Sequence, residues 1–105
     1  MFARMIEFTP KPDKTEQLMH TMTTEVLPLL KKHPGFVDMF TMVPEHPTGH
    51  FVTISFWKTK EMANEYHNRD YPRVIEMLKP FMTATPTVTF FTVETSTFHK
   101  IAVAA

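Results

Sequence analysis

Cysteine is absent from this chain of 105 residues, and glycine occurs only twice. Without cysteine the protein has neither a disulfide framework nor a thiolate metal site. Acidic and basic side chains balance at eleven each and are scattered, so no cationic surface favours nucleic acid or an anionic membrane. No long apolar run and no signal-like start occur, which predicts a cytoplasmic protein that is neither exported nor membrane-inserted.

The apolar residues that are present form an adaptable set. The length fits one domain with a single core. Nine methionines and ten phenylalanines supply much of the apolar side-chain volume, and such polarizable side chains suit irregular cavities. The balanced charge and these polarizable side chains favour a small neutral or aromatic ligand as the partner.

Hydrophobic periodicity predicts six elements in the order βαββαβ. Pro28 lacks the N–H that would bond the carbonyl of Thr24, so the first helix should kink or break near Thr24. Gly35 is predicted to take the positive φ that turns the chain out of this helix. Thr59 is a candidate N-cap for the second helix, which is predicted to consist of two pieces. The predicted strands are 1–8, 36–43, 50–57 and 87–95, and the predicted helices are 13–33 and 60–81.

This order favours an α+β, ferredoxin-like fold, in which a four-stranded antiparallel sheet carries both helices on one face. The second and third strands are nevertheless apolar on both faces. The helices bury only one of the two apolar faces, so we expect a homodimer that buries the second face. Residues 1–95 form the predicted domain, and the apolar C-terminal arm 96–105 is expected to reinforce the dimer contact. In strand two the expected faces are Phe36, Phe40 and Met42 against Val37, Met39 and Val43; in strand three they are Phe51 and Trp57 against Val52, Ile54 and Phe56.

Three segments also carry a family resemblance: LPLLKKHPGF at 27–36, ISFWKTKEMANEY at 54–66 and TVTFFTVE at 87–94. With the βαββαβ order, the chain resembles the antibiotic biosynthesis monooxygenase-like domains of the dimeric α+β barrel superfamily. The resemblance covers nearly the whole chain and implies that two sheets pack into a barrel, with a pocket between the sheet and the helices of each protomer. It also implies oxygenation of a small aromatic substrate, such as a phenol, quinol or anthrone, without a cofactor.

In such an oxygenase the substrate is deprotonated, and the resulting anion passes an electron to dioxygen. The site then needs an apolar pocket, a base and donors for the anion. His67 is the candidate base because its ordinary pKa lies near neutrality. The other candidates are Tyr66 or Asn64 as a donor, Trp57 as a stacking face, Arg4 as a positive charge, and Tyr71 and Phe81 as further substrate-binding residues.

Each of the main candidates also has a purely structural interpretation. A lone tryptophan at a strand end, such as Trp57, is often a core or interface anchor. His67 also fits a solvent-facing position, and Arg4 fits an edge residue that discourages aggregation. His46 and His50 have metal-ligand spacing, but they flank a proline and a glycine in a loop, where no helix would direct both rings at one metal.

Two alternative functions follow from the same residues. In haem-degrading members of the superfamily, a helix-two histidine ligates iron and a strand-three tryptophan shapes the pocket, and His67 and Trp57 match these positions in order. Those proteins also use an asparagine on strand one, which the segment MFARMIEF lacks. The other alternative is a non-catalytic dimeric binding or scaffold domain whose aromatic residues only fill the core.

Overall fold

Four strands and two interrupted helices follow the predicted order within residues 1–97, the part of the chain that the computed structural model describes. None of the helices in this part is long and apolar enough to cross a membrane. The predicted C-terminal arm lies, from residue 98 onward, outside the described residues. The elements are β1 (Phe2–Phe8), α1 (Thr15–Thr21), a π-helical turn (Met22–Val26), α2 (Leu27–Lys31), β2 (Phe36–Met42), β3 (Phe51–Trp57), α3 (Lys60–Arg69), α4 (Tyr71–Leu78), a 3₁₀ turn (Lys79–Phe81) and β4 (Thr87–Thr92).

The strands form one antiparallel sheet in the order β2-β3-β1-β4. The helices lie on one face of this sheet, so the predicted ferredoxin-like fold is confirmed. β1 is a central strand, paired with β3 on one side and β4 on the other. A side chain in the middle of β1 that points toward the helices therefore lies deep in the molecule.

The first helix changes its winding in the middle, as the position of Pro28 predicts. The helix is π-helical from Met22 to Val26. There the Thr23 and Thr24 hydroxyls donate to the backbone oxygens four residues earlier, at 3.0 and 2.8 Å. Side-chain bonds of this kind compete with the regular backbone pattern and bend helices, and the proline removes one backbone donor.

The second helix is interrupted at Asp70, as predicted. Thr59 caps α3, because its hydroxyl accepts a hydrogen bond from the Met62 N–H at 3.1 Å. α4 begins at Tyr71 with Pro72 in its first turn, where a missing N–H costs nothing. The change of direction at Asp70 brings Tyr66 at the end of α3 and Tyr71 at the start of α4 over the same part of the sheet.

A β-bulge corrects the predicted faces of strand two. The register of β2 against β3 shifts between Phe36 and Asp38. The Phe36 ring packs edge-on against Trp57, on the helix side, whereas Phe40 packs against Phe56 on the opposite side. The expectation that Phe36 and Phe40 share a face was wrong, because a bulge adds a residue and reverses the alternation. The predicted faces of strand three are confirmed.

Gly35 also differs from the expectation, since no glycine of the described chain has a positive φ. The reason for glycine here is close packing. A Cβ added at Gly35 would lie 2.4 Å from the Cβ of Met62 and 2.5 Å from its sulfur. Glycine therefore allows the loop after α2 to pack directly against α3.

The two faces of the sheet have different surroundings. The helix-facing side contributes Phe2, Phe8 and Trp57 to the core, together with the apolar side chains of the helices. The opposite side carries Met5 and Ile54 as cross-strand partners, and it is apolar as well. Along its margins Met42 and Phe91 are 46% and 48% exposed. This second apolar face is the one that the sequence predicts to meet another subunit.

Candidate functional site

A polar group of side chains lies at the centre of the otherwise apolar helix-facing side of the sheet. Arg4 on β1 pairs directly with Ser55 on β3, and the next inward pair is Ile6 with Thr53. Arg4, Ser55 and Thr53 are the buried polar residues of the described chain, and Arg4 is only 1% exposed. Polar side chains at inward positions of a core sheet are costly, so this group is the first candidate for a functional site.

Arg4 is a buried cation that is held mainly by aromatic rings. Within residues 1–97 no carboxylate forms an ion pair with it. Its guanidinium carbon lies 4.5 Å from the ring centroid of Tyr71 and 4.9 Å from that of Tyr66. The ring of Phe90 is 5.9 Å away, and Nε of Arg4 has no hydrogen-bond partner among the described residues. Burial lowers the pKa of Arg4, and the two tyrosines oppose that shift.

His67 contacts Arg4 directly, and the contact defines its protonation. Nη2 of Arg4 lies 3.0 Å from Nδ1 of His67. Because a guanidinium can only donate hydrogen bonds, Nδ1 must accept, and the proton of the neutral ring is on Nε2. The imidazole stacks on Tyr71 at 5.1 Å and meets the edge of Phe90 at 5.2 Å. Burial, and then the charge of Arg4, lower the pKa of His67.

The two tyrosines remain protonated phenols at neutral pH. Burial raises the pKa of Tyr66 to about 12 even though Arg4 opposes the shift. Burial also raises the pKa of Tyr71, and the neighbouring Arg4 opposes that shift. Each phenol is therefore a potential hydrogen-bond donor beside the guanidinium.

Trp57 lies behind Tyr66 and has no exposed surface. The two rings stack with centroids 5.1 Å apart and an interplanar angle of 24°. The indole N–H donates to the Ser55 hydroxyl at 3.0 Å, so it is already bonded within the protein. Trp57 thus holds Tyr66 in place by stacking and Ser55 by a hydrogen bond.

A cavity between sheet and helices connects these groups. Its volume is about 30 Å³, enough for a water molecule but too small for an aromatic ring system. Polar side chains are confined to one end, and the rest of the wall is apolar. The polar end contains Arg4, Thr53, Ser55, Tyr66 and Tyr71, and the apolar wall includes Ile6, Phe8, Met22, Val26, Leu30, Met39, Val74 and Met82.

The structure divides the seven predicted site residues into three groups. Arg4, Tyr66 and Tyr71 line the cavity. Trp57 and His67 contact those three from outside the lining. Asn64 lies half-buried on α3 outside the lining, and Phe81 borders a separate surface groove with Glu16, Gln17, His20 and Thr21.

Sequence reasoning did not include the cavity residues Ser55 and Thr53. A signal was present, because both have the same parity as Trp57 and Phe51 on strand three. Two small hydroxyl side chains on the face that is expected to be buried indicate a polar position in the core. Met22 and Val26 were also missed as lining residues, although the predicted helix irregularity lies next to them.

The arrangement does not fit a haem ligated by His67. Iron coordination through Nε2 would require the ring proton on Nδ1, where it would oppose an N–H of Arg4. The rings of Tyr71 and Phe90 also occupy two sides of the imidazole. Among the described side chains, no group of three or more histidines and carboxylates could hold a metal ion.

Comparison with known proteins identifies similar sequences and folds. A family model described as antibiotic biosynthesis monooxygenase matches residues 1–75. No curated protein sequence matches the chain.

Several solved structures have the same fold. The ActVA-Orf6 monooxygenase of Streptomyces coelicolor, solved with the ligand nanaomycin D, has a TM-score of 0.75 at 18% identity and covers 90% of this chain and 88% of its own. SnoaB, a cofactor-independent oxygenase from Streptomyces nogalater, has a TM-score of 0.64 at 14% identity and covers 91% and 93%. NE2512 from Nitrosomonas europaea, of unknown function, has a TM-score of 0.75 at 12% identity and covers 98% and 95%.

Proposed function

The chain belongs to the antibiotic biosynthesis monooxygenase family, and we propose that it is a cofactor-independent monooxygenase for a small aromatic substrate of the phenol, quinol or anthrone type. The observation that carries the proposal is the buried guanidinium of Arg4. It has no carboxylate partner among the described residues and lies at the polar end of an apolar cavity. A site of this kind is complementary to an organic anion.

The reaction needs an anion, because an ionised phenol or anthrone can itself reduce dioxygen. The anion gives one electron to O₂, which forms superoxide and a substrate radical. These combine to a peroxide anion, which takes up a proton to become a hydroperoxide, and the hydroperoxide loses water, with the hydrogen of the same carbon, to leave a carbonyl group. One oxygen atom of O₂ enters the product and the other leaves as water, so the reaction balances without a further reductant.

The charge of Arg4 is large enough to matter for this ionisation. Two opposite charges about 4 Å apart attract by about 4 kcal/mol at an effective dielectric constant of about 20. That energy corresponds to a fall of about 3 units in the pKa of a phenol, and the loss of water from the phenolate opposes part of it. Tyr66 and Tyr71 add hydroxyl donors at the same end of the cavity.

Substrate entry requires the cavity to widen, because a volume of about 30 Å³ admits no aromatic ring. Three flexible methionine side chains, Met22, Met39 and Met82, belong to the wall and can rearrange. Met22 and Val26 also belong to the π-helical turn, a backbone irregularity that is often found at functional sites. We propose that these side chains move apart and widen the cavity when the substrate enters.

Oxygen uptake and product chromatography with a panel of anthrones, naphthols and quinols test the proposed function. The wild type should oxidise at least one compound faster than it reacts spontaneously. Arg4→Gln should lower kcat/KM by about 10²- to 10³-fold, as expected when a donor to a developing anion is removed. Arg73→Gln, which alters an exposed arginine on α4, is the matched control and should stay within about twofold. If no panel compound reacts above its spontaneous rate, the monooxygenase proposal fails.

We also propose a homodimer formed by the sheet face opposite the helices. Its support is the apolar character of that face, with Met42 and Phe91 about half exposed at its margins. A two-fold dimer would cover both copies of the face at once. Light scattering should give twice the monomer mass at micromolar concentration, and Met42→Glu should lower it; a compact wild-type monomer would refute the proposal.

A binding domain without catalysis is the second candidate function. The mutual packing of Trp57, Tyr66 and Tyr71 favours it, because these buried rings also serve as core side chains. Ligand-dependent thermal stabilisation without oxygen uptake, across the same compound panel, would support this candidate.

A further inference from the structure

We infer that the site ionises its ligand through the positive charge of Arg4, and that His67 is a positioning residue that holds the guanidinium rather than the base that removes the proton. The inference rests on the proposed function in one respect, namely that the ligand is a weak acid bound beside Arg4. It goes beyond that function because it assigns separate roles to two residues and defines the charge of the bound species as a single negative charge.

The geometry of the Arg4–His67 contact is the first argument. A base must offer a free lone pair to the proton that it takes. The only lone pair of the neutral Nε2–H imidazole is on Nδ1, and that atom accepts from Nη2 of Arg4 at 3.0 Å. A proton placed on Nδ1 would face the guanidinium N–H, and the imidazolium would lie against a second cation. Stacking on Tyr71 and the edge contact with Phe90 keep the ring in this orientation.

The other groups around the guanidinium offer no better base. Tyr66 from α3 and Tyr71 from α4 face Arg4 as protonated phenols. Burial is the main cause of the raised pKa of Tyr66, the carboxylate of Asp70 adds to it, and that carboxylate is paired with His33 at 2.6 Å. On the side of Arg4 that faces β4 lies the aromatic ring of Phe90, which is not a base. Within the described residues, the groups beside the cavity are one fixed cation and several donors, which reach the ligand once the cavity widens, and the ligand's proton leaves to solvent.

A site of this kind selects ligands by their acidity. Apart from its polar end, the cavity wall is apolar, so a neutral phenol gains only hydrophobic contact and tyrosine hydrogen bonds. The ionised form gains the charge of Arg4 in addition. Phenols and enols that ionise near neutral pH should therefore bind more tightly than weaker acids of the same shape.

Absorbance titration of 4-nitrophenol and a nitronaphthol provides the test, because each probe has different spectra as phenol and phenolate. Bound to the wild type, the probe should have a pKa about 1 to 3 units below its value in water. Arg4→Gln should return the bound pKa to the free value or above it, and Arg73→Gln should behave as the wild type. His67→Gln keeps an acceptor for Arg4 but cannot act as a base, so it should retain most of the shift. His67→Leu removes the acceptor and should lose much of it.

Three results would overturn the inference: an unshifted probe on the wild type, no binding of either probe, or loss of the shift in His67→Gln as complete as in His67→Leu. Activity gives an independent check for any substrate that is found. His67→Gln should cost less than about tenfold in kcat/KM, whereas loss of a general base costs about 10²- to 10⁴-fold. A shifted probe without any oxygen uptake would refute the proposed monooxygenase while it supports the role of Arg4, so the two failures can be distinguished.

Discussion

Replacing Arg4 with methionine should stabilise the fold while it removes the anion site. Arg4 is 1% exposed, and no carboxylate of the described chain pairs with it. Methionine keeps an unbranched side chain in contact with the rings of Tyr66 and Tyr71 without a charge to desolvate. The expected sign follows from a comparison of the cost of burying the guanidinium with its contacts.

The effective desolvation penalty of a buried ion is several kcal/mol. Against it stand two close ring contacts, at 4.5 and 4.9 Å, each worth about 1 to 2 kcal/mol when desolvated. The hydrogen bond to His67 adds about 1.5 to 3 kcal/mol. A methionine sulfur beside aromatic rings regains about 0.3 to 1.5 kcal/mol. With a penalty of about 6 kcal/mol, about 5 kcal/mol for the contacts at the middle of their ranges and about 1 kcal/mol for methionine, the balance predicts that Arg4→Met raises the free energy of unfolding by about 2 kcal/mol.

Urea unfolding at one fixed protein concentration measures this change, because oligomerisation would make the midpoint depend on concentration. Arg73→Met, at an exposed arginine, is the matched control and should lie within about 0.5 kcal/mol of the wild type. A loss of more than about 1 kcal/mol in Arg4→Met would contradict the reasoning. It would mean that the aromatic contacts outweigh desolvation and that Arg4 belongs to the structural core.

Three further predictions concern the fold around the site. Trp57→Ala should lower the free energy of unfolding by about 3 to 5 kcal/mol, because the ring is fully buried and stacked on Tyr66; a near-neutral change with lost ligand binding would instead favour a direct role in the site. Gly35→Ala should cost about 1 to 3 kcal/mol by thermal denaturation, since the new Cβ would lie 2.4 Å from the Cβ of Met62, and an unchanged melting temperature would show that α3 moves freely. The pKa of Tyr66 is raised in the folded state to about 12 from an ordinary 10.0, so its neutral form contributes stability below pH 10 that is lost as the pH rises toward 12. Urea midpoints should fall over this pH window in the wild type and fall less in Tyr66→Phe. Equal slopes of midpoint against pH would refute the raised pKa.

Local sequence signals predicted most of the fold. Proline positions predicted the irregular first helix and the two-piece second helix, and Thr59 was identified as a cap from its place before a helical pattern. These features depend on a few neighbouring residues, as do the strands and their order. The positive φ assigned to Gly35 was wrong because glycine has a second use, close packing against a side chain far along the sequence, which local patterns do not reveal.

The candidate site was less predictable, because its chemistry depends on contacts between distant segments. Arg4 and His67 were each identified from residue type, but only the folded chain shows that one donates to the other. That contact changes the inferred role of His67 from base to positioning residue. The bulge before Asp38 likewise moved Phe36 to the helix side, since one extra residue in a strand leaves no clear mark in its composition.

The change of winding in the first helix solves a spacing problem in the core. Four of its residues are buried, Leu18, Met22, Val26 and Leu30, and each follows the previous one by four positions. In a regular α-helix four residues turn about 400°, so twelve residues would rotate Leu30 by about 120° away from the direction of Leu18. A π-helical turn advances fewer degrees per residue and takes back part of that drift. A deletion of one residue between Met22 and Val26 would therefore do less harm than its place in the core suggests, because a regular α-helix with that deletion puts Leu30 eleven positions after Leu18 and only about 20° from its direction.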